Sequence, residues 1–183
     1  FPKNKTVLTG NPIRQMANGK WQMANSEKLP LIYITGGSSG SHFINVLIEG
    51  CIKDLLEKYI IVHQTGDAQE FHDFDRLEKL RANLTAKLSN RYIIKKFIDP
   101  QEIGSLLDKA SLVVSRSGMN TITELLYFEK PCLLIPLPFS QNNEQLKNAK
   151  YLEKLGLGKV LQQNFLSSDE LFLEIAKMFH NIR

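Results

Sequence analysis

The sequence predicts an α/β fold, an open parallel sheet with helices on both faces. Three observations predict it. Short apolar runs such as Leu31-Ile32-Tyr33-Ile34 recur along the chain. Stretches with apolar residues at helical spacing separate them. Two of the runs end in Gly- and Ser-rich loops that open directly into the next helix. Continuous apolar runs suit parallel strands, because helices cover both faces of such a sheet.

Taken in order, residues 1–28 are rich in Asn, Gln, Lys and Gly and lack sustained periodicity. They read as an interdomain linker, with one domain over 29–183. Leu31–Ile34 is the first strand. From Ser41 to Tyr59, Phe43, Val46, Leu47, Cys51 and Leu55 form a helical stripe. Tyr59–Val62 is the second strand, and residues 74–88 read as one amphipathic helix. Tyr92–Ile94 is the third strand. Asp99-Pro100-Gln101-Glu102 announces a helix: Asp99 as cap, Pro100 in the first turn, Glu102 reaching back as in a capping box. Leu112–Val114 is the fourth strand, followed by a helix over 118–128. Cys132–Ile135 is the fifth, followed by a helix over 143–155. Gly158–Leu161 is a sixth, edge strand, and Ser167 with Glu170 offers a second capping box for the last helix.

Composition narrows the function class. The 183 residues, 43% hydrophobic and 23% charged, fit one ordinary globular domain. No apolar run approaches the roughly 20 residues that span a bilayer. The charge of +4, from 23 basic and 19 acidic residues, is too small and dispersed to indicate nucleic acid, though it suits anionic substrates or an anionic membrane surface. Cys51 and Cys132 lie in apolar stretches without metal-ligand spacing and read as buried reduced thiols.

Ligands of such sheets bind beyond the carboxyl ends of the strands, so the strand-to-helix loops carry the functional signal. Gly36-Gly37-Ser38-Ser39-Gly40-Ser41 follows the first strand. Its glycines allow close backbone approach, and the helix start behind it favours an anion such as phosphate. A plain tight turn is the competing account, since the spacing matches neither GxGxxG nor a P-loop. Ser115-Arg116-Ser117-Gly118 follows the fourth strand. Ser117 is the expected helix cap there. Arg116 is either a phosphate ligand or half of a structural ion pair. Glu124 lies two turns into that helix, where a carboxylate accepts both hydroxyls of a ribose, or is simply a solvated surface residue. Pro136 to Gln145 is amide-rich, suited to sugar hydroxyls or to capping the next helix. His42, His63, His72 and His180 form no nucleophile or metal motif. His42, beside the Gly-rich loop, is read as a partly buried helical histidine in preference to a ligand contact.

These loops, in this order, resemble those of the MurG family. Gly10-Asn11-Pro12-Ile13-Arg14 is similar to the family's interdomain GNPxR motif, and Gly36 to Ser41 to its GGSxGA loop. Phe97-Ile98-Asp99 resembles the segment whose backbone faces uracil. Arg116-Ser117-Gly118 with Thr121 and Glu124 is similar to RSGxxTxxE, and Gln145 with Asn148-Ala149 to the QxxNA ending of the sugar-facing loop. Asn142 and Glu144 depart from the Asp and His often found there, and Met119-Asn120 replaces smaller residues. The donor sugar thus stays open between N-acetylglucosamine and a related hexose.

The resemblance implies the Rossmann-like C-terminal, donor-binding half of a GT-B glycosyltransferase. Such enzymes move N-acetylglucosamine from UDP to a lipid-linked peptidoglycan precursor, with inversion, on the inner face of the cell membrane. It implies UDP-sugar contacts from Arg14, Gly37, Ser38, Ile98, Arg116, Ser117, Gly118, Thr121, Glu124 and Gln145. No metal or cofactor is expected. No catalytic residue is assigned within the chain, because the acceptor loop and general base of the family lie in an N-terminal domain. The chain therefore reads as one domain of a longer protein, inactive alone. A donor-binding subunit of a split transferase, half of a nucleotide-sugar epimerase and a UDP-sugar sensor are the alternatives. A dinucleotide oxidoreductase fits worst, because His63-Gln64-Thr65 supplies no acid at the end of the second strand.

Overall fold

The computed structural model describes Asn11, Trp21 and residues 28–68 and 70–181. Six parallel strands form one sheet: β1 (Leu31–Thr35), β2 (Ile60–Gln64), β3 (Tyr92–Lys95), β4 (Leu112–Ser115), β5 (Cys132–Leu134) and β6 (Gly158–Val160), in the order β3-β2-β1-β4-β5-β6. The helices between them are α1 (His42–Lys58), α2 (Asp73–Ala82), α3 (Ala86–Ser89), α4 (Pro100–Lys109), α5 (Met119–Tyr127) and α6 (Glu144–Lys154), with α7 (Ser168–Asn181) last. The predicted fold class is the one observed.

Alternation along each strand divides the core into two layers. Ile32 and Ile34 of β1 point into a layer with Ile48, Ile52 and Leu55 of α1 and with Leu171 and Ile175 of α7. Leu31 and Tyr33 point the other way, towards Leu106 and Leu107 of α4, Leu125 of α5 and Leu152 of α6. Ile32 and Ile34 are fully buried, and burying each stabilises the fold by roughly 1.5–3 kcal/mol.

Local rules account for most element ends. Asp99 caps α4, its carboxylate accepting from the Gln101 N–H at 2.8 Å. The reciprocal bond from Glu102 is not formed among the described residues; its own N–H instead bonds the Asp99 carbonyl at 2.8 Å. The second capping box is complete: the Ser167 N–H reaches Glu170 at 2.7 Å and the Glu170 N–H reaches Ser167 Oγ at 3.2 Å.

Two readings change. The single helix expected over 74–88 is broken into α2 and α3, because Thr85 takes extended backbone geometry and its hydroxyl caps α3 through the Leu88 N–H. A Thr, three residues before an apolar position, competes with the helix by bonding the backbone locally. Trp21, inside the stretch read as linker, is packed into the α4 layer. Its N–H bonds Ser105 Oγ at 3.1 Å, and its carbonyl accepts from Lys109 Nζ.

Candidate functional site

The strand order reverses between β1 and β4, which pair directly, Thr35 facing Ser115 at their carboxyl ends. Crossovers leave this point in opposite directions, so a crevice opens there. The loops after β1 and β4 line it, the same two loops the sequence singled out.

The β1 loop is held in a tight turn. The Gly37 N–H bonds Thr35 Oγ1 at 3.0 Å, and the Gly40 N–H bonds the Gly37 carbonyl at 3.2 Å. Gly40 (φ +78°) lies against Gly66 (φ +77°), so closely that a Cβ on either would collide with the other loop's backbone. Ser41 caps α1 through the Ile44 N–H at 3.4 Å.

At the β4 loop the expected cap is corrected. Gly118, not Ser117, is the N-cap of α5, and no side chain among the described residues caps it. Ser117 is fully buried and its hydroxyl donates to the Gln145 carbonyl at 2.7 Å. Asn148 Nδ2 donates to the Ser117 carbonyl at 3.1 Å. The motif residues Ser117, Asn148 and the buried Ala149 therefore tie α6 to the loop, and the first N–H groups of α5, beside the crevice, have no side-chain acceptor among the described residues. A Cβ on Gly118 would meet nothing within 4 Å.

Among the described residues Arg116 is not half of an ion pair. Its guanidinium donates to the Ile135 and Pro136 carbonyls at 3.0 and 3.4 Å and to Ser41 Oγ at 2.8 Å. It braces β5 and the α1 cap together. Burial, with no carboxylate beside it among the described residues, pushes its pKa down to about 10, so it remains a cation at neutral pH.

Two hollows share this crevice. One, of about 330 Å³, is lined by Thr35, Gln64, Phe97, Met119 and Glu124. The other, of about 570 Å³, is lined by the Gly-rich loop, His42, Arg116, Leu137 and Gln145. Gly37, Ser38, Gly118 and Thr121 line both. Seven of the ten predicted site residues therefore line the two hollows, four of them where the hollows meet, with Glu124 to one side and Arg116 and Gln145 to the other. Arg14 lies outside the described residues. Its motif neighbour Asn11 is described, and its amide donates to Thr123 Oγ1 of α5 at 2.8 Å.

Ile98 differs from expectation. It is 1% exposed and its N–H is bonded to Gln64 Oε1 at 3.2 Å. Its neighbour Phe97, 54% exposed, is the ring that lines the hollow. Gln64 is the residue that sequence reasoning missed. It also donates to the Gly37 carbonyl at 3.1 Å, joining the Gly-rich loop to the Ile98 segment. Its place at the carboxyl end of β2, next to β1, was the available signal.

The amide-rich loop mixes two purposes. Asn142 and Asn143 occupy the left-handed region (φ +52° and +54°), which asparagine tolerates better than most residues. Gln145 Oε1 accepts from the Leu137 N–H at 3.0 Å. Its Nε2 has no partner among the described residues, so this side chain offers a ligand a donor.

A buried polar chain supports the crevice from beneath. His63 Nε2 meets Asn45 Oδ1 and its Nδ1 meets the Tyr92 hydroxyl, each at 2.9 Å. Burial pushes its pKa down to about 3, against the weaker opposing pull of Asp73, and keeps the ring neutral.

A crevice at the β1/β4 reversal, the two loops that open into α1 and α5 and the ordered motifs define a family in combination. The family model described as "Glycosyltransferase family 28 C-terminal domain" matches residues 31–183. The chain belongs to this family. It is 36% identical over 185 residues to a UDP-N-acetylglucosamine–N-acetylmuramyl-(pentapeptide) pyrophosphoryl-undecaprenol N-acetylglucosamine transferase of Prochlorococcus marinus, covering 98% of this chain and 47% of that protein. A like-named protein of Bacillus thuringiensis is 32% identical over 189 residues, with 99% and 50% coverage. The chain thus spans about half the length of the curated relatives it matches. Among solved structures, Acinetobacter baumannii MurG superposes with a TM-score of 0.66 at 27% identity, over 85% of this chain and 42% of that one. The architecture is the Rossmann-like C-terminal half of the GT-B fold. No helix among the described residues is long and apolar enough to cross a membrane.

Proposed function

We propose that this family 28 domain binds the UDP-N-acetylglucosamine donor of an inverting N-acetylglucosaminyltransferase acting on a lipid-linked peptidoglycan precursor. The observation that carries the proposal is the shared wall of the two hollows: Gly37, Ser38, Gly118 and Thr121 lie between Glu124 and Gln145. A diphosphate on that wall would place the nucleoside over Glu124 and Phe97, and the sugar over Gln145. Glu124 would accept the ribose hydroxyls, and Gln145 Nε2 would donate to a sugar hydroxyl.

In the reaction, an acceptor hydroxyl attacks the anomeric carbon as its bond to the diphosphate oxygen breaks. Charge then grows on the departing UDP. N–H groups at the α5 start, and those of the Gly-rich turn that the turn itself does not use, would donate to it, and Arg116 would add a nearby cation. Preorganised donors of this kind stabilise such charge without reorganising, and no metal is required. The base that takes the hydroxyl proton, the acceptor site and the attachment to the membrane surface are assigned to the part of the relatives that this chain does not span.

Calorimetric titration of the chain with UDP and UDP-N-acetylglucosamine tests the reading. No heat at millimolar ligand would refute it. Glu124→Ala should weaken UDP by roughly tenfold or more, the worth of hydrogen bonds to a charged group, and leave inorganic diphosphate almost unchanged. Equal losses for both would eliminate the ribose role.

A further inference from the structure

His42 opens α1 directly after the Gly-rich turn and lines the sugar-side hollow with Arg116 and Gln145. Its Nδ1 lies 2.8 Å from Asp73 Oδ1. An ionised carboxylate only accepts, so Nδ1 carries the proton and Nε2 is the free face of the neutral ring. Asp73 is itself fixed. Its Oδ2 accepts from Asn45 Nδ2 at 2.7 Å, and Arg76 pairs with Oδ1 at 2.8 Å. Burial raises the Asp73 pKa, but hydrogen bonds from Asn45 and His42 and the charges of His42 and Arg76 outweigh it, and the carboxyl stays below its ordinary range. The imidazole is also stacked on Phe71, with centroids 4.0 Å apart and planes 13° from parallel. Hydrogen bond and stack together fix the ring plane. Nε2 has no partner among the described residues, and the side chain stays 38% exposed.

A partly buried helical histidine would need only the Asp73 bond. It would not need a second restraint on a ring that lines the hollow beside the Gly-rich turn. We propose that His42 is a further donor-contacting residue: held by Asp73, its imidazolium pairs through Nε2 with the diphosphate of the bound UDP-sugar, and donor binding therefore takes up a proton. The inference rests on the donor-site reading above.

The charges around the ring allow this. Asp73 faces the ring directly, and Arg76, also on α2, is partly balanced by Glu49 of α1 at 2.6 Å. His72, at the start of α2, is exposed and lies 4.0 Å from Asp75. Arg116 keeps its charge throughout the neutral range, and His63 stays neutral. Histidine is the side chain whose ordinary change of charge falls between about pH 5 and pH 8.

UDP-N-acetylglucosamine is the appropriate probe, because both its phosphates are diesters and keep their charge over this range, whereas the terminal phosphate of UDP titrates within it. Calorimetry near pH 6 and near pH 8, in two buffers of different ionisation heat, reads affinity and proton uptake together. The wild-type chain should bind about tenfold tighter near pH 6, the value of one charged hydrogen bond, and take up protons on binding. His42→Gln should bind at the weaker level at both pH values with no uptake. His42→Arg should restore tight binding near pH 8, and His72→Gln should keep the wild-type dependence. Thermal melts establish that each variant is folded. Wild-type binding that is flat with pH, or a dependence that survives in His42→Gln, overturns the role of His42 alone. Absence of binding at both pH values instead sinks the donor-site reading, and this inference with it.

Discussion

Replacing Gly118 by alanine separates a ligand requirement from a folding one. Gly118 has φ −65° and ψ 152°, which alanine adopts without strain, and an added Cβ would meet nothing within 4 Å. Two small terms act on stability in opposite directions. Alanine is the poorer N-cap, costing up to about 1 kcal/mol, while the less flexible unfolded chain returns roughly 0.4–1 kcal/mol. The unliganded chain should therefore melt close to wild type. Gly118 does, however, line both hollows, so the added methyl group would take up space where the donor-site reading puts the diphosphate. Losing one N–H contact to a charged phosphate costs about 1.5–3 kcal/mol, or roughly 10- to 150-fold in affinity. Urea unfolding gives the stability, and calorimetry with UDP gives the affinity. A variant that is as stable as wild type and binds UDP equally well would refute the α5 anion site. A variant that loses several kcal/mol of stability would refute the claim that nothing in the fold needs glycine there.

Two further predictions follow from the buried network and the loop contact. His63 has its pKa pushed down to about 3 by burial, so the unfolded chain binds a proton there that the folded chain refuses. Stability is then full above about pH 6.5 and is lost as pH falls towards 3, by about 1.5 kcal/mol between pH 6.5 and pH 5. Urea midpoints measured across that window should decline, and His63→Gln should flatten the decline; an unchanged slope would show that other groups set it. Gly66→Ala, at φ +77° and against Gly40, should destabilise by about 1–3 kcal/mol and weaken UDP by displacing the Gly-rich turn, as melts and calorimetry would show. An unaltered melt would remove the interlock between the two loops.

The legible parts of the protein were those set by neighbours along the chain. Ile32 and Ile34 announce a buried strand by being consecutive with Leu31 and Tyr33, and the Ser167/Glu170 box forms as read. The Gly-rich and RSG loops were legible because glycine at a strand end has few other uses. Reading failed where partners come from far along the chain. Ser117 has the right residue type and position for a cap, but Gln145, distant in sequence, offers its carbonyl at 2.7 Å and takes the hydroxyl. Arg116 beside a strand end could equally pair with an acid, and only the packed loop shows carbonyls in that place. Gln64 carried no motif at all; its role exists because β1 and β3 flank β2 and bring Gly37 and Ile98 within reach of one amide.

The sequence by itself determined the alternating strands and helices, the family, and the two loops that line the crevice. Those properties follow from local periodicity and from backbone freedom at glycine, which do not depend on distant contacts. Only the tertiary structure decided which polar groups within those loops remain available. Each donor or acceptor can satisfy a limited number of partners, and burial forces it to choose the nearest. Ser117, Asn148 and the Ile98 N–H are taken up by the fold itself. Among the described residues, the α5 start, Gln145 Nε2 and His42 Nε2 are left without such partners in the lining of the crevice, which is why the donor-site proposal rests on them.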